Sequence, residues 1–589
     1  MTQLLLYLSG LATVRGTPVD SCKAYPGSHD WPSKAAWKGL NETLGGQLLA
    51  PAPPGAVCHP GQPTYNANQC PNVKAGWSSY DWHTDNPVSV MWDQFANYTC
   101  LPDAKDPCSG QAYPPYVVNA TTAEHVKHGV EFARKHNVRI NVKSTGHDYL
   151  GRSIAPGALS IWMHHMDSIE YHADEFKLHG SGKTLKGSAV TVGGGAQMYD
   201  IYRFADAHNQ TVVGGGGKSV GIGGFISGGG HSALAPRFGL AADNVLQLEV
   251  VTPRGKILTV NEDRHRDLFW ALRGGGGSTF GIMTKITMWT HPTPKITDIK
   301  WMAVTDPKAP FVSDLIGYIA SQVPYLMEAG MSGYNFATTG MPNPYPLPGL
   351  PTEIAGFMGI SVVQNADDPN VADKIFKPLN DTLNERWQGQ ATMFKITEQY
   401  PSFLAWFSKN YDQGHAGQSS YIVSRLLDGK ALSGDPEALG EALRAGSAPS
   451  GGVSVFMVGG KGVQDAKPRG GNAVNPAWRT AYVHALAATE FMPSNKTAEQ
   501  EAIKLLDTSF QPMRAISPKS GAYINEALPF EKDWQHTFWG ANYARLLKIK
   551  RAVDPTDVFW CSPCVGNDRW EEHPDGRLCR AKEVSHGSC

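Results

Sequence analysis

Between Cys108 and Cys561 the chain contains no cysteine. Its nine cysteines sit in the flanks, Cys22, Cys58, Cys70, Cys100 and Cys108 on one side and Cys561, Cys564, Cys579 and Cys589 on the other. That placement suits disulfides stapling loop-rich flanks onto a cysteine-free body, and the odd count leaves at least one thiol unpaired within the chain. The Cys561-Ser-Pro-Cys564 pair has the spacing of half a zinc site or a redox dithiol, but its companions are unevenly spaced, so a disulfide is favoured. An excess of either charge is also missing. There are 52 Lys plus Arg against 53 Asp plus Glu, a net charge of −1, and charged residues make up 18% of the 589. This excludes a generally basic nucleic-acid binder and a highly charged disordered chain. No apolar run of about 18 residues or more occurs, so no membrane span is expected. What the chain has in quantity is 63 Gly and 41 Pro together with 16 Trp, 21 Tyr and 21 Phe, the composition of a loop-rich globular protein with flat pockets. The length favours at least two globular units and is enough to enclose a cofactor.

Residues Leu4 to Ala12 form a short apolar segment ending in small residues, as a secretory signal over 1–20 does, although no Lys or Arg precedes it. Asn-x-Ser/Thr sequons at Asn41, Asn97, Asn119, Asn209, Asn380 and Asn495 agree with a secreted chain. Residues 21–110, rich in Pro, Gly, Asn and Cys and anchored by Trp31, Trp37 and Leu40, read as a wrapping segment without identifiable chemistry. Capping-box spacing at Thr121 to Glu124 and the apolar positions Val126, Val130 and Ala133 predict a helix ending at His136-Asn137. Val138, Ile140 and Val142 then alternate with polar residues as in a strand, which holds His147 in a tight loop at the strand end. Helices over 199–209 and 264–273 and strands over 246–251 and 256–260 complete an α+β unit over 111–295. A second domain is expected over 296–515, a Trp- and Tyr-rich segment over 516–570 and a Cys-containing tail over 571–589.

Three glycine runs lie within a short span: Gly193 to Gly195, Gly214 to Gly230 with gaps, and Gly274 to Gly277. Glycine lets backbone amides approach an anion closely, and three such runs together favour a diphosphate cofactor over simple turns. Gly217-Lys218-Ser219 imitates the end of a P-loop, but the first glycine that motif requires falls on Val212. Gly221-Ile222-Gly223-Gly224-Phe225-Ile226 puts Ile226 where a Rossmann fingerprint wants Gly or Ala, and no convincing first strand precedes it. A dinucleotide is expected, on a different fold.

The segments Ser144-Thr145-Gly146-His147-Asp148-Tyr149, Gly221 to Gly230, Gly239 to Val245, Asp267 to Gly276, Tyr523-Ile524-Asn525-Glu526 and Gly540 to Leu546 occur in one order across nearly the whole chain. In them the sequence resembles fungal berberine-bridge-enzyme-like members of the vanillyl-alcohol-oxidase class of FAD-linked oxidases. The resemblance implies an α+β protein: a PCMH-type FAD-binding domain of two subdomains, a substrate domain with an antiparallel sheet, and a C-terminal segment returning to the flavin. It implies that FAD is bonded at its 8α carbon by His147, a chemistry that suits a neutral imidazole nitrogen. It places Ser144, Thr145, Gly146, Asp148, Gly217, Val220, Gly221, Gly223, Gly224, Ser227, Gly228, Gly229, Asn244, Val245 and Asn542 around the cofactor. Bicovalent members carry a second link through a cysteine where this chain has Gly217, so the flavin is expected to be held by His147 alone.

Flavin oxidation of an alcohol needs a base for the hydroxyl proton as hydride leaves carbon. Sugar-oxidising relatives place a tyrosine where this chain has Glu526, and a carboxyl beside an apolar flavin face is expected to have its pKa lifted by desolvation; the alternative is a Glu paired with a nearby Arg or Lys. Tyr523, Tyr149 and His231 are further candidates for contact with the substrate. Val220, small and aliphatic, stands where the resemblance implies passage of oxygen to the reduced flavin, favouring an oxidase that releases hydrogen peroxide. The expected protein is a secreted monomer without a metal, oxidising an alcohol, carbohydrate or phenolic metabolite. An oxidative cyclase or desaturase of secondary metabolism, or a flavoprotein without sugar-oxidase activity, is the alternative.

Overall fold

The computed structural model describes residues 22–345, 351–366 and 368–581. The expected signal over 1–20, and Cys589, lie outside the described residues. A four-stranded sheet runs Leu48–Leu49, Tyr116–Asn119, Leu159–Trp162, Ile140–Lys143. Its last three strands are parallel, which requires a crossover, and the helix Ala123–Lys135 supplies it. Thr122, rather than Thr121, caps this helix, its hydroxyl accepting the His125 N–H, while Glu124 in the first turn and Arg134 and Lys135 in the last match the helix dipole. Val126, Val130 and Ala133 are buried against the sheet, and at Gly129 a Cβ would collide with Ile161, so only glycine lets the helix sit this close.

The five-stranded sheet is antiparallel throughout, in the order Ile257–Asn261, Val245–Val251, Ile282–Trp289, Ala189–Gly193, Ile169–His172. Helices Met198–Asp206 and Arg266–Leu272 belong to this unit, shorter by two and three residues than the ranges expected from periodicity. A third sheet has seven antiparallel strands, in the order Thr392–Tyr400, Ile296–Thr305, Glu353–Gln364, Met331–Pro342, Gly452–Met457, Ala481–Glu490, Ser420–Asp428. One face buries Trp301, Ala337, Phe357, Val455 and Val483 beneath helices including Val312–Ser321 and Pro436–Gly446. Alternation then turns the neighbouring residues to the other face. Ile360, Tyr334, Phe456 and His484 are paired in register across four successive strands and form one rung there.

The flanks are stapled as the cysteine placement implies: Cys22–Cys579 joins the two ends, Cys58–Cys70 and Cys100–Cys108 close short loops, and Cys561–Cys564 is a disulfide. Both sulfurs of that last pair lie against the Gly277 carbonyl. The C-terminal helix Tyr543–Val553 is locked to the same glycine loop through Lys550. Its buried ammonium bonds the carbonyls of Thr279 and Phe559 and the Asp554 carboxylate at 2.7 Å. Among the described residues no helix is long and apolar enough to cross a membrane.

Candidate active site

The sheets and the C-terminal segment enclose a cavity of about 420 Å³. One wall is the loop Ser144–Tyr149 that leaves strand Ile140–Lys143. Gly146 has φ +94°, and a Cβ there would press on Val90 Cα at 3.3 Å, so the loop can turn only with glycine at this point. The turn delivers His147, whose Nε2 lies 2.8 Å from Ser219 Oγ and whose ring packs 4.7 Å from that of Tyr80. Beneath the loop, Lys143 is wholly buried, its ammonium bonded to the carbonyls of His83 at 3.2 Å, Thr84 at 3.2 Å and Asn86 at 2.8 Å. Burial pushes the Lys143 pKa down to about 7. Burial first, and then the neighbouring His83 and Lys143, push His147 down to about 3, so this imidazole is neutral at ordinary pH.

The second wall is glycine backbone from Gly214–Gly217, Gly221, Gly223, Gly224 and Gly276–Gly277. At Gly224 the backbone has no left-handed φ and a Cβ would meet nothing within 4 Å. Neither conformation nor packing requires glycine there; its effect is to leave room in the cavity. Ser144 Oγ, also on the lining, is buried with no hydrogen-bond partner. A backbone cradle kept free of side chains, an unpartnered hydroxyl and a neutral imidazole fit a flat, phosphate-bearing cofactor such as FAD.

The sheet rung supplies Ile360, Tyr334 and Phe456, joined by Phe336 two residues along the strand. The last wall is the returning C-terminal segment, with Tyr523, Asn525 and Glu526. Asn525 Nδ2 donates to the Tyr523 hydroxyl at 2.9 Å, and Asn525 Oδ1 receives Arg152, which also forms a 2.5 Å ion pair with Asp148. Tyr149 stacks on Trp92 at 4.6 Å. Burial first, and Glu526 in addition, keep the phenols of Tyr523 and Tyr149 well above the ordinary tyrosine range, so both are hydrogen-bond donors at ordinary pH.

Glu526 is clamped. His231 Nε2 lies 3.1 Å and His484 Nε2 2.8 Å from its Oε2, His484 is fully buried, and 26% of the Glu526 side chain remains open on the cavity. Burial alone pushes this carboxyl up, but the charges and hydrogen bonds of the two imidazoles together outweigh it and hold it well below the ordinary carboxylate range. The expectation of a carboxyl lifted by desolvation is therefore corrected: the partners are histidines, and they keep it ionised. The three donor atoms lie within 4.8 Å of one another, as a metal-ligand set would. Yet Nδ1 of both histidines is buried without a partner, whereas metal-bound histidines almost always anchor that nitrogen. The arrangement is that of a carboxylate hydrogen-bonded by two imidazoles at the cavity wall.

Of the residues expected around the cofactor, Ser144, Thr145, Gly146, His147, Asp148, Gly217, Val220, Gly221, Gly223, Gly224 and Ser227 line the cavity, as do Tyr149, His231, Tyr523 and Glu526. Gly228, Gly229, Asn244, Val245 and Asn542 do not. A Cβ at Gly228 would collide with Asn525, and Gly229 turns at φ +125°. Asn244 bonds the carbonyls of Phe238 and Leu240, Val245 is strand core, and Asn542 bonds the Val474 carbonyl. Sequence reasoning missed Tyr80, Ser219, Asp412 and His484. Asp412 reaches the cavity from a loop whose backbone N–H bonds the Gly216 carbonyl at 2.9 Å, and enclosure by protein raises its pKa.

The chain matches the FAD binding domain family over residues 114–261 and the berberine and berberine-like family over residues 522–565. It is 33% identical to the VAO-type flavoprotein oxidase VAO615 of Thermothelomyces thermophilus, covering 95% of this chain and 96% of that protein. To the FAD-linked oxidoreductase patO of Aspergillus clavatus it is 32% identical, covering 98% of each. The crystal structure of VAO-type flavoprotein MtVAO615 from Myceliophthora thermophila C1 superposes with a TM-score of 0.83 at 32% identity, covering 95% of this chain and 100% of that one. A chitooligosaccharide oxidase shares the fold, with a TM-score of 0.58 at 18% identity over 77% of this chain and 92% of that one.

The clamp on Glu526 has a pH signature. A carboxyl whose folded pKa is depressed contributes stability that is full above its unfolded pKa of about 4.3 and is lost as pH falls below it. In thermal melts between pH 3 and 5, Glu526→Gln should be less stable than the parent by a margin that shrinks as pH falls below about 4. A margin that does not change with pH would show that the contact is not ionic.

Proposed function

The chain belongs to the VAO-type, berberine-bridge-like family of FAD-dependent oxidoreductases, and we propose that it oxidises an alcohol, carbohydrate or phenolic metabolite outside the cell, with dioxygen as electron acceptor. The carrying observation is Glu526, an ionised carboxylate that opens on the same cavity as the glycine cradle and His147. When bound, FAD supplies a hydride acceptor. The chain does the rest. His147 anchors the cofactor covalently, and Gly217 offers no second link. Tyr523 and Tyr149 orient the substrate oxygen by donating hydrogen bonds. Glu526 takes the hydroxyl proton on the side it opens to the cavity, while His231 and His484 hold its other lone pairs. The row of Ile360, Tyr334 and Phe456, with Phe336, favours a substrate that presents a ring to the sheet. The disulfides, which close both flanks, support an extracellular setting.

Three experiments test this reading. After denaturation in acid, flavin fluorescence should stay with the polypeptide on a gel and should be lost from it in His147→Ala; a flavin still covalent in that variant refutes the anchor. With a substrate found by screening a panel of sugars, alcohols and phenolics, Glu526→Gln with bound flavin should slow anaerobic flavin reduction by about 10² to 10⁴-fold, with a much smaller change in substrate affinity. Because the carboxylate is already ionised, the parental rate should show no ionisation of this group between pH 5 and 8; reduction at the parental rate in Glu526→Gln makes the residue structural. Finally, mixing the reduced enzyme with air should reoxidise it quickly, and Val220→Leu should slow that step. Slow reoxidation in the parent, unchanged by the variant, refutes dioxygen as acceptor.

A further inference from the structure

His147 makes a single hydrogen bond among the described residues, from Nε2 to Ser219 Oγ at 2.8 Å. Ser219 is only 3% exposed and lies between Gly217 and Val220 of the cavity wall, so water does not compete for its hydroxyl. The ring cannot swing freely, because Tyr80 packs on it at 4.7 Å. Burial holds the imidazole neutral, with one N–H and one lone pair. In a neutral imidazole, the partner of one nitrogen decides the state of the other. With Nε2 engaged by the Ser219 hydroxyl, Nδ1 is the ring nitrogen left without a partner among the described residues, and when the serine oxygen accepts from Nε2–H the lone pair lies on Nδ1.

We propose that Ser219 is a positioning residue for cofactor attachment: by binding Nε2 of His147 it makes Nδ1 the nitrogen that bonds the flavin 8α carbon. The inference rests on the reading of His147 as the covalent anchor. In the step, the Nδ1–C8α bond forms and a C–H bond of the flavin methyl breaks. The methyl proton and the Nε2 proton leave, the two electrons stay on the flavin, and dioxygen removes them with two protons as hydrogen peroxide. Nε2 therefore changes from donor to acceptor as Nδ1 becomes substituted. A hydroxyl serves both states, first accepting from Nε2–H and then donating to Nε2, which neither a carbonyl nor an ammonium could do.

The test compares the parent with Ser219→Ala and Ser219→Thr, incubated aerobically with excess FAD. Total bound flavin is read by absorbance, and the covalent fraction over time by gel fluorescence after acid denaturation. Ser219→Ala should bind FAD in the parental amount but attach it about tenfold more slowly, roughly what one hydrogen bond is worth in a rate. Ser219→Thr, which keeps the hydroxyl, should attach it near the parental rate. The flavinyl peptide isolated from the parent should be linked through Nδ1 by NMR, a readout that needs no variant to fold. Attachment in Ser219→Ala at the parental rate, or a parental link through Nε2, overturns the role of Ser219. A parental flavin that washes out in acid overturns the His147 reading instead, so the two failures are distinguishable.

Discussion

A carboxylate taken out of water must be paired, and at Glu526 this requirement brings together segments far apart in the chain. Glu526 comes from the C-terminal return, His231 from the turn after helix Ile222–Gly228, and His484 from the strand next to one edge of the seven-stranded sheet. None of the three satisfies its ionic or hydrogen-bonding needs alone. Breaking such a pair on one side leaves an uncompensated buried charge, which costs about 3 to 5 kcal/mol. The clamp therefore fixes how the cofactor-side unit, the sheet and the C-terminal segment close on one cavity. It also fixes the chemistry, because a carboxylate held ionised can accept a proton but has none to give.

The N-terminal segment contributes by the same logic with the opposite sign. Lys143 is a buried cation that no carboxylate bonds among the described residues; three backbone carbonyls of residues 83–86 satisfy its ammonium instead. That contact holds the helix Tyr80–Asp85, and with it the Tyr80 ring, against His147. The stretch that reads in the sequence as mere wrapping thus builds one side of the surroundings of His147. Burial first, and Lys143 in addition, disfavour protonation of the His147 imidazole, and a protonated imidazole would have no lone pair on either nitrogen.

What was legible in the sequence follows the range of the forces involved. The helix after Thr122, the strands on either side of Pro253-Arg254-Gly255 and the histidine at a strand end are local patterns, and the chain carries them in periodicity and turn chemistry. Gly224 was legible as part of a glycine run, although only the structure separates it from Gly146, which is glycine because its backbone turns left-handed. His484 was not legible. It lies in an ordinary alternating strand, and its meaning comes from a register that sets it beside Phe456 and opposite Glu526. The expected pKa of Glu526 failed for the same reason: burial could be anticipated from the flavin's apolar face, but two imidazoles supplied by distant segments could not.

Besides Asp148, which is ion-paired to Arg152, two carboxylates line the cavity, and their environments drive them apart. Glu526 faces two imidazoles and stays ionised, whereas Asp412 has a single backbone N–H, that of Gly414 at 2.9 Å, and burial raises its pKa. Tyr149 and Tyr334 lie within the fields of both. An anionic ligand entering between them would add a further unpaired charge to a wall that already destabilises one. A neutral, hydroxyl-bearing ligand meets acceptors at both carboxylates and donors at the tyrosines, and can satisfy each of them without bringing charge into the site. Under the function proposed above, the fields of Glu526 and Asp412 at Tyr149 and Tyr334 favour a neutral, hydroxyl-bearing substrate over an anionic one on this side of the cavity, away from the glycine cradle.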